Sequence, residues 1–250
     1  TLIPDFGQAA FDEVTLNLGP FEQTFEEQRQ FFTEGTELFN KGALFFSRRV
    51  GGAPSREITN LEQDQVVEQY PESVNLLNAV KVSGRTKDNL GIGFFNAITE
   101  KTYATVLNQQ TDQTQEILVE PLTNYNIFVL DQQFNDNSSI ALINTNVTRE
   151  GQFRDANTTA VVYDVSNKQN TFNIFGRNVA SNVSEDNGIS TGFLSEIEVS
   201  RIKGNFRYRV EHKFANTTYD INDLGLNRRN NFNNLEAEIS YENFEPTKIF

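Results

Sequence analysis

The pattern of apolar and polar positions is most regular near the end of the chain. Asn205–Phe214 reads N-F-R-Y-R-V-E-H-K-F, with Phe206, Tyr208, Val210 and Phe214 alternating against Arg207, Arg209, Glu211 and Lys213. Asn234–Tyr241 sets Leu235, Ala237, Ile239 and Tyr241 against Glu236, Glu238 and Ser240. Successive strand side chains point to opposite faces, so each segment makes one apolar and one charged face. A soluble β-sandwich and a transmembrane β-barrel both produce that pattern, and they differ in which face meets water.

The same period marks most of the chain from residue 43 onward. Ala43–Val50 reads as a first strand, followed by a long polar loop over Gly51–Ser73. Val74–Gly84 and Leu90–Thr99 predict a hairpin around Arg85–Asn89, and Tyr103–Leu107 and Ile117–Val119 flank a polar tip. Thr123–Phe134 and Ser139–Thr148 flank the turn Asn135-Asp136-Asn137-Ser138. Thr158–Val165 pairs with Thr171–Val179, Ile189–Ile202 with Asn205–Phe214 across Lys203-Gly204, and Phe232–Tyr241 comes last. Ten or eleven strands in sequential hairpins predict an antiparallel meander, with tight turns alternating with longer loops as in outer-membrane barrels. Gly91-Ile92-Gly93 lies inside a strand and reads as a packing or bend position.

Residues 1–42 differ. They are rich in Phe and Glu, and Phe21, Phe25, Phe32 and Phe39 fall near helical spacing, interrupted by Gly35. This lead-in is expected to be mixed, with one short amphipathic helix, packed on or inside the β-structure of residues 43–250.

Composition narrows the functional classes. A net charge of −13 argues against nucleic acid, which requires clustered cations. The chain has no Cys and one His, His212, which leaves too few parts for a thiolate metal site, a two-His zinc site or a triad built on His. No run approaches the length of a membrane helix, while a mean hydropathy of −0.49 is compatible with a barrel whose lumen is polar. No cofactor motif is present, and no catalytic constellation is identifiable, so the chain is not expected to be an enzyme.

The candidate site residues are charged and lie on predicted strands. Glu196 with Glu198, Arg207 with Arg209, and Glu236 with Glu238 each share one strand face and are expected to line a lumen. Arg48 and Arg49 are adjacent, so on a strand they diverge. One of them is expected to pair with a carboxylate from Glu22–Glu34, anchoring the lead-in as a plug. Asp220–Gly225 faintly echoes a calcium loop but lacks its spacing and terminal Glu, and reads better as a turn.

Several segments in order carry a resemblance: Pro4-Asp5-Phe6-Gly7-Gln8, Phe31-Phe32, Glu34-Gly35, Phe45-Phe46-Ser47-Arg48-Arg49-Val50-Gly51, Lys81-Val82-Ser83-Gly84, Val119-Glu120-Pro121-Leu122-Thr123-Asn124-Tyr125, and Asn222-Asp223-Leu224-Gly225 with Arg229. Together they resemble Bacteroidota outer-membrane proteins that carry a carbohydrate-binding-like domain before a C-terminal β-barrel of unassigned function. Glu26 and Gln30 depart from that pattern, standing where the family carries proline. The resemblance implies that this chain is the first part of an incomplete barrel in the bacterial outer membrane. Its partners would be outer-membrane lipid, other outer-membrane or periplasmic proteins, and a glycan bound through a domain outside this chain. The implied function is passage or handling of a nutrient. Its alternatives are a non-conducting scaffold subunit and a soluble all-β carbohydrate-active enzyme, which would need two convergent carboxylates.

Overall fold

The computed structural model describes residues 27, 29–33, 35–185 and 188–243. Among them are twelve strands and almost no helix. The strands are β1 (Gln65–Gln69), β2 (Leu76–Arg85), β3 (Leu90–Thr99), β4 (Thr102–Asn108), β5 (Gln113–Glu120) and β6 (Thr123–Phe134). They continue with β7 (Ser138–Arg149), β8 (Asp155–Ser166), β9 (Phe172–Glu185), β10 (Gly188–Arg201), β11 (Phe206–Ala215) and β12 (Phe232–Tyr241).

Nine strands form one antiparallel sheet in the order β2-β3-β6-β7-β8-β9-β10-β11-β12. It is a meander with one excursion: between β3 and β6 the chain leaves to make the β4–β5 hairpin, which joins β1 in a three-stranded sheet. The large sheet is open, with β2 and β12 as its edges. The predicted hairpins therefore form nearly where alternation sets them. Asn89, Asn135 and Asn170 adopt positive φ in three of the turns, a conformation Asn tolerates better than most residues. The turns β2–β3, β6–β7, β8–β9 and β10–β11 are all short and lie at one end, while the β4–β5 excursion and the long β11–β12 connection lie at the other.

Two predictions fail. Ala43–Val50 is not a strand; Lys41–Ala43 and Ser47–Arg49 are single 3₁₀ turns, and β-structure begins only at β1, inside the stretch expected to be a loop. The apolar Leu44 and Val50 of Ala43–Val50 are almost wholly covered without the segment joining a ladder. The expected helix is reduced to α1 (Gln30–Thr33), and Phe21 and Phe25 lie outside the described residues.

Burial explains the shape. The lead-in and the segment that follows it lay Phe32, Leu38, Phe39 and Leu44 on one face of the sheet, against Phe95 on β3, Ile127 and Val129 on β6, and Ile143 on β7. Phe45 and Phe39 meet Phe95 with ring centroids 5.3 and 6.4 Å apart. Each such side chain contributes roughly 1.5–3 kcal/mol when fully buried. Gly91 and Gly93 make room for this layer: a Cβ at Gly91 would sit 2.8 Å from Leu38 Cδ2, and one at Gly93 would sit 3.3 Å from the Phe39 ring. The packing role expected of this Gly pair is what the structure gives it.

Candidate functional site

A cavity of about 620 Å³ opens at the long-loop end of the sheet. Five arginines line it: Arg48, Arg49, Arg56, Arg149 and Arg154. Three carboxylates face them, Glu120, Asp220 and Asp223. In a chain of net charge −13, the lining thus has a cationic excess.

Secondary structure positions the central groups. Arg149 ends β7 and Glu120 ends β5, while Arg154 immediately precedes β8. Asp220 and Asp223 come from the β11–β12 connection. Arg149 is buried; its Nη1 donates to Asp223 Oδ1 at 2.8 Å and to the Arg154 carbonyl at 2.6 Å. Its Nε lies 3.6 Å from Glu120 Oε1, within ion-pair range but beyond a hydrogen bond. Glu120 is held by the Thr123 hydroxyl at 2.9 Å and the Ser55 N–H at 2.7 Å. Arg154 donates to both Asp223 and Asp220 at 2.7 Å and reaches Glu185 at 3.0 Å.

The electrostatics follow from these contacts. Burial works against the charged Arg154, but its hydrogen bonds and proximity to Asp223 and Asp220 outweigh it and hold the guanidinium charged more firmly than usual. Burial raises the Asp220 carboxyl, yet the Asn222 N–H and Arg154 together bring it below its ordinary value. Burial pushes the neighbouring Tyr219 phenol up to about 12. A carboxyl lowered on folding stabilises the fold above its unfolded value, about 4, and that contribution is lost as pH falls through the folded value. Docking of residues 219–224, read by amide hydrogen exchange, is therefore expected to hold at pH 5–7 and to weaken below about 4. Asp220→Asn should flatten that acid dependence, and an unchanged acid midpoint in the variant would count against the assignment.

The sequence profile of a domain of unknown function (DUF5916) matches residues 1–250. The chain belongs to this family. No curated protein and no solved structure matches it.

In this DUF5916 chain the expected site residues fall into two separate groups. Arg48 and Arg49 lie on a 3₁₀ turn lining the cavity, so the argument that they diverge along a strand does not apply. Arg49 donates through Nε to the Gly225 carbonyl at 3.3 Å, with its guanidinium 5.8 Å from the Phe46 ring centroid. Glu27, the described carboxylate of the expected plug stretch, is engaged by Arg29 at 2.7 Å and by the Ser47 hydroxyl at 2.6 Å. The other carboxylates of that stretch, Glu22, Glu26 and Glu34, lie outside the described residues.

The other six residues share one face of β10–β12, the face that carries Leu194 and Ala215 of the core. Arg209 is the hub, 3.1 Å from Glu198, 3.2 Å from Glu211, 3.6 Å from Glu236 and 3.8 Å from Glu238. Glu196 pairs with Lys213 at 3.1 Å and with Arg177 of β9 at 3.2 Å, while Arg207 pairs with Glu242 at 3.3 Å. Alternation put these residues on one face, and antiparallel pairing brought them together. The cavity's central pairs were not foreseen, because Glu120, Arg149, Arg154 and Asp223 come from four segments whose ends meet only in the fold. The turn reading of Asp220–Gly225 agrees with the structure, in which the Gly225 N–H donates to the Ile221 carbonyl at 2.7 Å.

Proposed function

We propose that this chain is the barrel-forming region of an outer-membrane protein that handles or passes a solute at the cell surface. One observation carries the reading: apart from Arg201, which stands beside the β10–β11 turn, β10–β12 turn their charged residues toward the face bearing the core and their apolar residues outward. On β10 and β11 the outward Ile197, Val199 and Val210 are 39–43% exposed, while the inward Glu211 is 4% exposed. A water-soluble sheet puts apolar residues against its core, whereas a barrel in lipid with an aqueous interior inverts that order. Among the described residues no helix is long and apolar enough to cross a membrane, so insertion would rest on the strands.

The lead-in supports a second reading, a non-conducting scaffold. Its Phe32, Leu38 and Phe39, with Leu44 just after it, cover the β3–β7 side of the inner face and leave the charged β10–β12 side to the interior. On the transport reading the cationic cavity and the charged wall form a path for solute; on the scaffold reading the Phe-rich layer closes it. The experiment is fractionation of cells making the full-length protein, with boiled and unboiled gel samples of the membrane fraction. A detergent-extracted band that shifts on boiling, and single-channel conductance in planar bilayers, are the expected results for the transporting barrel. A heat shift without conductance supports the scaffold. Recovery in the soluble fraction with no shift sinks both.

A further inference from the structure

The outward face of the large sheet carries a second pattern, which follows neither the strands nor their register. On β3 the exposed apolar pair is Ile92 and Phe94, straddling Gly93. Following the ladder from Gly93 leads through Val129, Ile143, Ala160, Val179 and Leu194 to Ala215 on β11. The apolar outward residues of β11 nearest the turn, Phe206, Tyr208 and Val210, centre on Tyr208, seven residues from Ala215. The intermediate strands fill the slope: Leu142 on β7, Val161 and Tyr163 on β8, Ile174 on β9, and Val199 on β10. A stripe that kept the register of Ile92 would instead meet Asn178 and Ser195.

Seven residues at about 3.3 Å, against six strand spacings at about 4.8 Å, give an inclination of about 40°. Strands of membrane barrels tilt by roughly 35–45° from the barrel axis, so a band level with the bilayer must cross their register at that angle. A line of paired polar side chains climbs along its loop-side edge at about 35°. Asn96 donates to Asn126 at 2.9 Å, Asn144 to Thr159 at 2.8 Å, and Ser195 to Asn178 at 2.9 Å. Pairing removes most of the cost these groups would carry next to hydrocarbon.

From these two slopes we infer, resting on the membrane reading above, that the inclined apolar band is the surface contacting lipid acyl chains. The short turns lie at one membrane interface, and the paired amide line marks the band's opposite edge. Each strand devotes about three outward positions to the band, some 15 Å along the bilayer normal. That is about 10 Å shorter than the roughly 25 Å of a full outer-membrane band, which therefore extends on the loop side of the paired line past the outward Phe193 and Phe214.

The test uses single cysteine substitutions in the full-length protein at Phe94, Val210, Phe193 and Asn144. Each is labelled with a nitroxide and folded into phosphatidylcholine vesicles, with folding checked by the heat-shifted gel band. Relative accessibility to oxygen and to a nickel chelate then reports depth. Phe94 and Val210 are expected within about 3 Å of the same depth. Phe193 shares a register row with Phe94 through Phe128, Asn144, Thr159 and Ala180. It is expected about 15 Å nearer the loop-side water, and Asn144 about 6 Å nearer than Phe94. Equal depths for Phe94 and Phe193 overturn the inclined band but leave the membrane reading standing, and Asn144 deeper than Phe94 overturns the edge. Chelate-accessible labels at all four positions overturn the membrane reading itself.

Discussion

Asp131→Ala is expected to release the lead-in from the sheet and to lower stability by about 2–4 kcal/mol. Asp131 lies on the inner face of β6, wholly buried beyond Ile127 and Val129. Its carboxylate receives Arg85 of β2 at 2.7 Å on one oxygen and Lys41 of the lead-in on the other. Both cations are about a quarter exposed, 24% and 23%. Their residual hydration therefore brings the expected cost below the ~3–5 kcal/mol of breaking a fully buried pair. Lys41 follows directly on Leu38 and Phe39, so losing its anchor loosens the aromatic layer that Gly91 and Gly93 accommodate. The measurement is the midpoint of thermal unfolding followed by circular dichroism, together with limited proteolysis between residues 35 and 50. Glu37→Ala removes a carboxylate that also meets Arg85, at 3.3 Å, but is 76% exposed. It should change stability by less than about 0.5 kcal/mol. Equal behaviour of the two variants would show that Asp131 does not anchor the lead-in.

Asp131 also marks where the sequence could be read and where it could not. A lone acid among Val129, Leu130 and Phe134 breaks the alternation of β6 visibly, but its partners lie 46 and 90 residues earlier, and no local pattern connects them. The hairpins were legible because turn chemistry and period two act over a few residues. The charged face of β10–β12 was legible because alternation places Arg209 and Glu198 on faces that antiparallel pairing then brings together. Ala43–Val50 misled because a short apolar run can be buried as an irregular segment as readily as a strand. On β3 and β6 both faces carry apolar residues, one under the lead-in and one in the exposed band, so the alternation that is plain in β11 is blurred there. The cavity is made from strand ends and connections, whose convergence depends on the whole meander.

Gly192→Val should detach the β11–β12 connection and disorder the cavity it helps to build. Gly192 lies on the inner face of β10, where the connection crosses the strand. A Cβ there would fall 2.3 Å from both the Thr218 carbonyl oxygen and Tyr219 Cα, and 2.5 Å from the Tyr219 nitrogen. These are backbone atoms, which cannot swing aside as a side chain does. The crossing is pinned on either side: the Phe193 N–H donates to Asn216 Oδ1 at 2.9 Å, and the Thr218 hydroxyl donates to the Thr191 carbonyl at 2.6 Å. Beyond it, Tyr219, Ile221 and Leu224 enter the core, and the Leu224 carbonyl accepts the Phe46 N–H at 2.8 Å. Asp220 and Asp223 are carried along to Arg154 and Arg149, so lifting the connection strips both arginines of their carboxylates. The expected loss is about 3 kcal/mol or more, at the upper end of overpacking effects, with hydrogen-exchange protection lost across residues 218–225. Gly84→Ala, where an added Cβ would meet nothing within 4 Å, is the matched control and should change stability by less than about 0.5 kcal/mol. If Gly192→Val kept full protection at Tyr219 and Leu224, the crossing would not be the contact that orders the cavity. The arginines would then have to hold Asp220 and Asp223 in place by themselves.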